Sequence, residues 1–516
     1  MTGAAAAIAA DRPAARAGLT VGFLAASLLC LFALDNLLLL HFWGLSLPLT
    51  AGLMVAACAA ITTLSRRHCA DLAPVPLRTF GVVLIISLML FALGGEGRFF
   101  YANTDWQVRD AVLRDMATNV WPFAYDLHGT AYFLRAPLGT YLLPAMFGGH
   151  SDLALLFSNS LRLALLLTLA WHLFESKRER AITLAVFILF SGWDLVGTAI
   201  YSALGANLSW DHIERWNFSY QYSSHVTQAF WVPQHAIAGW ACAFAFLLWR
   251  KGLVPIGFFA AIIPLVAIWS PLAILGAVPF AMFAGFGQLR RRAVTLSDIG
   301  VAALGLAIAL PALLYLQIDA AKVGVHVRFA HPFAWLLCIA LEVLPFAWPL
   351  LRDRAFPPRD RPVVLLILSL LIVMPLIEVG VNSDFQMRAS IMPLALLSIY
   401  FAGWISRLLE ENPARKSVIA YAVVAVLLGV ATPLLELRRA LVNPPSPRPL
   451  CSLVGVWNKQ DNMIVPYSTY LAPVSTLPAR LRHVPVVAGR SDPQTCWDHK
   501  WAVPEAPQPL KVPRHG

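Results

Sequence analysis

Long apolar runs, interrupted at fairly regular intervals by short basic or Pro/Gly-containing stretches, occupy the chain from about residue 17 to residue 435. A run of about 20 predominantly apolar residues suits a helix that crosses a bilayer, because such a helix bonds every backbone amide within its own segment. The pattern predicts about thirteen such helices, at roughly 17–43, 47–65, 77–95, 153–174, 181–203, 227–249, 253–269, 271–287, 298–318, 333–351, 362–380, 390–408 and 417–435. The seventh and eighth are separated only by Trp269-Ser270-Pro271 and read as a tight hairpin. The first run is long enough to span, and a second follows at once, so it reads as a retained helix rather than a cleaved signal peptide. The expected fold class is an all-α polytopic membrane protein with juxtamembrane helices outside the bilayer. Residues 1–435 form its transmembrane domain and 436–516 a small, loop-rich, weakly structured extracytoplasmic region.

Composition agrees with that pattern: 59% of the 516 residues are hydrophobic, 13% are charged, and the mean hydropathy is +0.67. Soluble domains carry about a quarter charged residues. A net charge of +11 raises the question of a nucleic-acid partner, and placement answers it, because the basic residues sit in short loops between apolar runs. With the N-terminus cytoplasmic, twenty Lys/Arg fall inside, from Arg12 and Arg16 through Arg66 and Arg67 to Arg415 and Lys416. Eight fall in the opposite loops: Arg98, Arg109, Arg114, Arg135, Arg215, Lys322, Arg328 and Arg388. The positive-inside rule favours this orientation in a bacterial inner membrane. An odd number of spans then exports the tail to the periplasm. Cys451 and Cys496 are the only cysteines in that tail, and export would allow them to form a disulfide.

Two exported loops are longer than connectors need to be. In the first, Asn103-Thr104 reads as a helix cap and Val108, Val112 and Met116 recur at helical spacing. This predicts an amphipathic helix at the membrane interface, anchored by Trp106, Trp121, Phe123 and Tyr125. Asp105 and Arg109 share one face, as do Asp110 and Arg114. They read either as solvated ion pairs or, for Asp105, as a general base whose pKa is raised by partial desolvation. The second loop carries Asp211, His212, Glu214 and Arg215 between Trp210 and Trp216, and leads to His235 in the next apolar segment. A polar-aromatic loop of this kind either contacts a sugar or anchors at the interface. His212 and Glu214 lack an evident third partner, so no clear metal site emerges, and no cofactor is called for beyond an optional divalent cation.

The segment from Asn103 to Arg109, NTDWQVR, is echoed by that from Asn382 to Arg388, NSDFQMR, with four identities and three conservative replacements. Each reads as a helix start on the exported side, with free amides and an arginine one turn in, an arrangement suited to a phosphate. The same resemblance would also arise by coincidence between two capped helix starts. Arg162, inside an apolar span, calls for a carboxylate or a lipid phosphate as partner. Snorkelling to the interface is the alternative.

These features together resemble the membrane glycosyltransferases of the C superfamily (GT-C), which include lipid A aminoarabinose transferase and bacterial mannosyl- and arabinofuranosyltransferases. The resemblance lies in the many spans, an acid in an early exported loop and an exported C-terminal region. There is a departure: two spans precede the one leading into the Asp105 loop, whereas that loop usually follows the first span. The resemblance implies inverting transfer of a sugar from a polyprenyl-phosphate donor to a lipid or glycan acceptor. Asp105 would be the base, and Arg109, Arg388 and Arg162 would hold the phosphate. Asp110, Arg135, Asp211, His212, His235 and Asp384 would contact substrate. Two other readings stay open: an O-acyltransferase using His235, and a lipid-linked-sugar flippase or transporter.

Overall fold

A computed structural model describes residues 18–66, 69–320, 323–329, 331–380, 383–411, 413–459, 467–488 and 492–502. Arg12, Arg16, Arg67, Lys322 and Asn382, named above, lie outside the described residues. The protein is mostly helical, and seven helices are long and apolar enough to cross a membrane: Val21–Phe42, Leu47–Ser65, Gly148–Leu173, Pro271–Arg290, Leu296–Gln317, Ile391–Glu410 and Lys416–Val442. The pair Pro332–Glu342 and Leu344–Arg352, bent by 60°, would make an eighth. This is a multi-pass membrane protein.

Seven or eight crossings, rather than about thirteen, meet that test among the described residues, and local chemistry accounts for the difference. The 77–95, 253–269 and 362–380 runs form shorter helices, Leu77–Leu93, Ile256–Leu265 and Arg361–Leu376. The 181–203 run splits into Lys177–Ile188 and Asp194–Ala203, interrupted around Ser191-Gly192, two residues that propagate helix poorly. The 227–249 run breaks at Val232, because the residue before Pro233 is pushed out of the helical region. In the 333–351 run Pro345 cannot donate to the Leu341 carbonyl, which accepts from the Trp193 amide at 3.1 Å instead.

The helices form an inner and an outer set. Windows of Val21–Phe42, Gly148–Leu173 and Ile391–Glu410 are 67%, 72% and 78% buried, whereas that of Leu47–Ser65 is 17% buried. Polar residues on membrane helices turn to the bundle interior, and the inner helices carry Asp35, Asn159, Arg162 and Ser398. The helix Pro233–Arg250 is buried along almost its whole length. Its alanines and Gly239 let neighbours approach closely, and a Cβ at Gly239 would lie 2.3 Å from Ile391 Cγ2.

The helix Asp105–Thr118 does form, with the Asn103 side chain accepting from the Asp105 amide at 3.0 Å. It does not lie on a solvated interface, however. Trp106, Val108, Ala111, Val112, Leu113 and Met116 are all buried, and so are the expected anchors Phe123 and Tyr125. Its expected Asp110–Arg114 pair is absent too. Asp110 pairs with Arg98 at 3.0 Å, and Arg114 pairs with Asp115 at 3.1 Å.

The tail is more ordered than its proline-rich sequence suggests. The strands Ala124–Leu127 and Thr130–Leu134 form a hairpin, which the tail strands Leu471–Pro473 and Val486–Ala488 extend at its two edges into four strands. Cys451 and Cys496 are disulfide-bonded. The tail helix Leu453–Lys459 packs on Asp105–Thr118, and its first amide donates to Asp115 Oδ2 at 2.7 Å. Tyr125 Oη–H donates to the same oxygen at 3.0 Å. Asp115 is fully buried, so Asp115→Ala strands these donors and is expected to cost about 2–3 kcal/mol. Limited proteolysis should then cleave the 453–502 segment faster than in the unsubstituted protein; equal rates would show that Asp115 does not hold the tail.

Candidate functional site

Both echoed acids open a short helical segment, and in both the arginine four residues on turns back to its acid. Arg388 Nη1 lies 2.9 Å from Asp384 Oδ2 and Arg109 Nη2 lies 3.8 Å from Asp105 Oδ2. The two motifs come together in space. Asp105 interacts electrostatically with Asp384 and Arg388 as well as with Arg109, and Tyr470 from the tail interacts with all four. His235 lies within the same field, close to Arg388 and Arg109.

Surroundings differ among the members. Arg109 is 4% exposed, with its guanidinium bonded to Gln234 Oε1 and set against Tyr141, Tyr470 and Glu96. The Asp105 side chain is 47% exposed at the cleft between the two motifs, with the remainder packed against protein. Burial therefore raises its pKa above the ordinary carboxylate value, with Arg109 offsetting part of the rise and Asp384 adding to it. Burial also pushes the Glu96 carboxyl well above that range. Glu96 sits on a turn where Gly95 adopts φ +102°, and a Cβ there would lie 2.4 Å from Ala102 Cβ.

His212 reaches the cleft from the second loop and interacts with Asp105. Its Nδ1 lies 2.8 Å from Glu436 Oε1, and its ring stacks on Trp231 at 4.8 Å. Glu436 also accepts from Trp231 Nε1 at 3.0 Å and Arg439 Nη1 at 2.9 Å, which fixes the imidazole. His235 Nδ1 is 2.8 Å from the Ser270 hydroxyl.

Four expected contacts are employed elsewhere. Arg162 is 1% exposed, and its Nη2 bonds both Asp35 oxygens, at 2.8 and 2.7 Å, so its charge is already neutralised inside the bundle and out of reach of a lipid phosphate. Asp110 is buried against Arg98, which also holds Asp152 at 2.7 Å and the Pro447 carbonyl at 2.6 Å. That network ties down the tail. Arg135 donates to the Ser468 carbonyl at 2.7 Å, another tail contact. Asp211 pairs with Arg438 at 2.9 Å on the exposed surface.

Sequence reasoning missed Tyr470, Tyr141, Glu96 and Glu436, which join the site through tertiary packing alone. Gln234 carried a readable signal, a second polar side chain beside His235 in an apolar segment. No group of three or more His, Cys, Asp or Glu suited to a metal occurs among the described residues. Comparison of the chain with family models, with curated proteins and with solved structures gives no match in any of the three.

What the cleft can do follows from its charges. It holds one carboxylate suited to proton abstraction and two arginines suited to an anion. Each arginine is paired internally, so the set is balanced as it stands.

Proposed function

We propose that the protein is an inverting, GT-C-like membrane glycosyltransferase that moves a sugar from a polyprenyl-phosphate donor to a lipid or glycan acceptor. The observation that carries this reading is the meeting of Asp105–Arg109 with Asp384–Arg388 in one partly desolvated cleft. A donor phosphate would draw Arg109 and Arg388 from their carboxylates. Asp105 would then be free to take the proton of the acceptor hydroxyl as its oxygen attacks the anomeric carbon. The phosphate leaves with the electron pair, held by the arginines. Asp384 keeps Arg388 oriented, and His212 and Tyr470 line the acceptor side. Basic residues favour a cytoplasmic N-terminus and a periplasmic cleft and tail. Counting the short and broken helices as crossings restores a total of about thirteen, which suits that orientation.

A second reading, transport of a lipid-linked sugar, is favoured by the helix breaks at Trp193, Val232 and Val343, since interrupted helices build transporter sites. Mass spectrometry of membrane lipids and surface glycans discriminates the two in cells with the protein, without it, and with Asp105→Asn. Transfer predicts a species heavier by one sugar residue only with the unsubstituted protein. Profiles that do not change overturn the proposal, and relocation of a lipid-linked sugar without a new glycosidic product favours transport.

A further inference from the structure

Away from the cleft, three helical segments are interrupted at comparable distances from their basic ends. At about 1.5 Å per residue, the helix Lys177–Ile188 rises roughly 18 Å from its basic end before the Ser191-Gly192 break. Lys416–Gly429 rises roughly 21 Å before the Val430 interruption, and Leu344–Arg352 runs roughly 13 Å from the Val343 bend to its basic end. Each of these rises is shorter than a hydrocarbon core of about 30 Å.

Carboxyl groups gather where the interrupted segments meet. Asp194, Glu214 and Glu342 are all buried, and none has a Lys, Arg or His within ion-pair distance among the described residues. Trp216 Nε1 bridges two of them, donating to Glu342 Oε1 at 2.8 Å and Asp194 Oδ1 at 3.2 Å. That shared donor brings the Glu342 and Asp194 carboxyls close together. Two bare charges so close in low dielectric would repel strongly, which favours a proton on one of them.

The donors identify which acid carries it. Asp194 accepts from Ser191 Oγ at 2.7 Å, Thr432 Oγ1 at 2.6 Å and Trp216, and it stands in the first turn of Asp194–Ala203, where the helix dipole favours a negative charge. Glu342 has the Trp216 donor on one oxygen, while no N–H or hydroxyl reaches its buried Oε2. That oxygen lies against Gly192, where a Cβ would come within 1.7 Å of it. We propose that Glu342 and Asp194, backed by Glu214, form a proton-binding site inside the membrane-spanning region, with the proton on Glu342 Oε2 and shared with Asp194.

Cys338 and Tyr222 face Glu342 from the neighbouring segments, and Glu436, already paired with His212 and Arg439, faces Glu214. None of these supplies an unpaired cation. Deprotonation would therefore set two adjacent acids against each other at the bends, weakening the contact between the Asp194 and Glu342 segments. The inference stands apart from glycosyl transfer and would hold equally for a transporter.

Glu342→Gln tests it, since a glutamine amide reproduces a protonated carboxyl, accepting from Trp216 and donating to Asp194. In the full-length protein in maltoside micelles, E342Q should fold and unfold at the native temperature at neutral pH. It should also lose the fall in unfolding temperature that the native protein shows at alkaline pH. The infrared difference spectrum, native minus E342Q, should contain a protonated-carboxyl band. Failure of E342Q to fold, or a difference spectrum containing only ionised carboxylate, overturns the proposal. Sodium chloride raising the native unfolding temperature at constant ionic strength, but not that of E342Q, would mark a cation site and overturn it as well.

Discussion

Asp105→Asn is expected to lower sugar transfer by about 10²–10⁴-fold, the span over which a positioned general base contributes. Donor binding should change little, because the substitution removes a proton acceptor and leaves both arginines in place. Arg388→Ala should do the reverse, weakening donor binding. The acid limb of the pH profile supplies a stricter check. Asp105 works deprotonated, and burial raises its pKa, with Arg109 and Arg388 opposing the rise and Asp384 supporting it. Activity should therefore fall with decreasing pH at values above those of an ordinary carboxylate. Removing Arg388 should move that limb to higher pH, and Asp384→Asn should move it lower. A limb that responds to neither substitution would exclude Asp105 as the base.

The largest effect on stability is expected from Arg162→Ala. It leaves Asp35, wholly buried on an inner helix, with the Trp269 indole at 2.9 Å as its one remaining donor among the described residues. Breaking a buried pair from one side costs about 3–5 kcal/mol. Arg162→Lys should fail nearly as badly, because a single ammonium cannot replace the guanidinium that bonds both Asp35 oxygens, the Ser158 side chain and the Leu31 carbonyl. It would also lose the stacking over Trp269 at 4.9 Å. Thermal unfolding of the solubilised protein measures both substitutions. The double change Asp35→Leu with Arg162→Met should recover much of the loss, since the desolvation cost disappears along with the pair. A double variant no more stable than Arg162→Ala would contradict this account.

What the sequence determined by itself was what local pattern can encode. Apolar length announces a membrane helix because the bilayer demands internal satisfaction of every amide, and the helix after Asn103 follows from its cap and periodicity. The spacing of Asp105 from Arg109, and of Asp384 from Arg388, places each pair on one helix face whatever the surroundings. Tertiary structure decided the partners. Asp35 lies in the first apolar run, 127 positions from Arg162, and nothing in either segment points to the other. Asp110 turned from Arg114 to Arg98 because its helix is buried rather than solvated, and desolvation selects the partner that packing delivers. Tyr470 and Glu436 entered the site with tail and helix segments distant in the chain. Helix breaks divide in the same way: Pro233 and Pro345 are local signals inside runs that read as single helices, whereas the Trp193 amide that satisfies the freed Leu341 carbonyl comes from another segment. Hydrophobic periodicity records which residues leave water; it holds no record of which buried charges meet, since that energy exists only once the helices have packed.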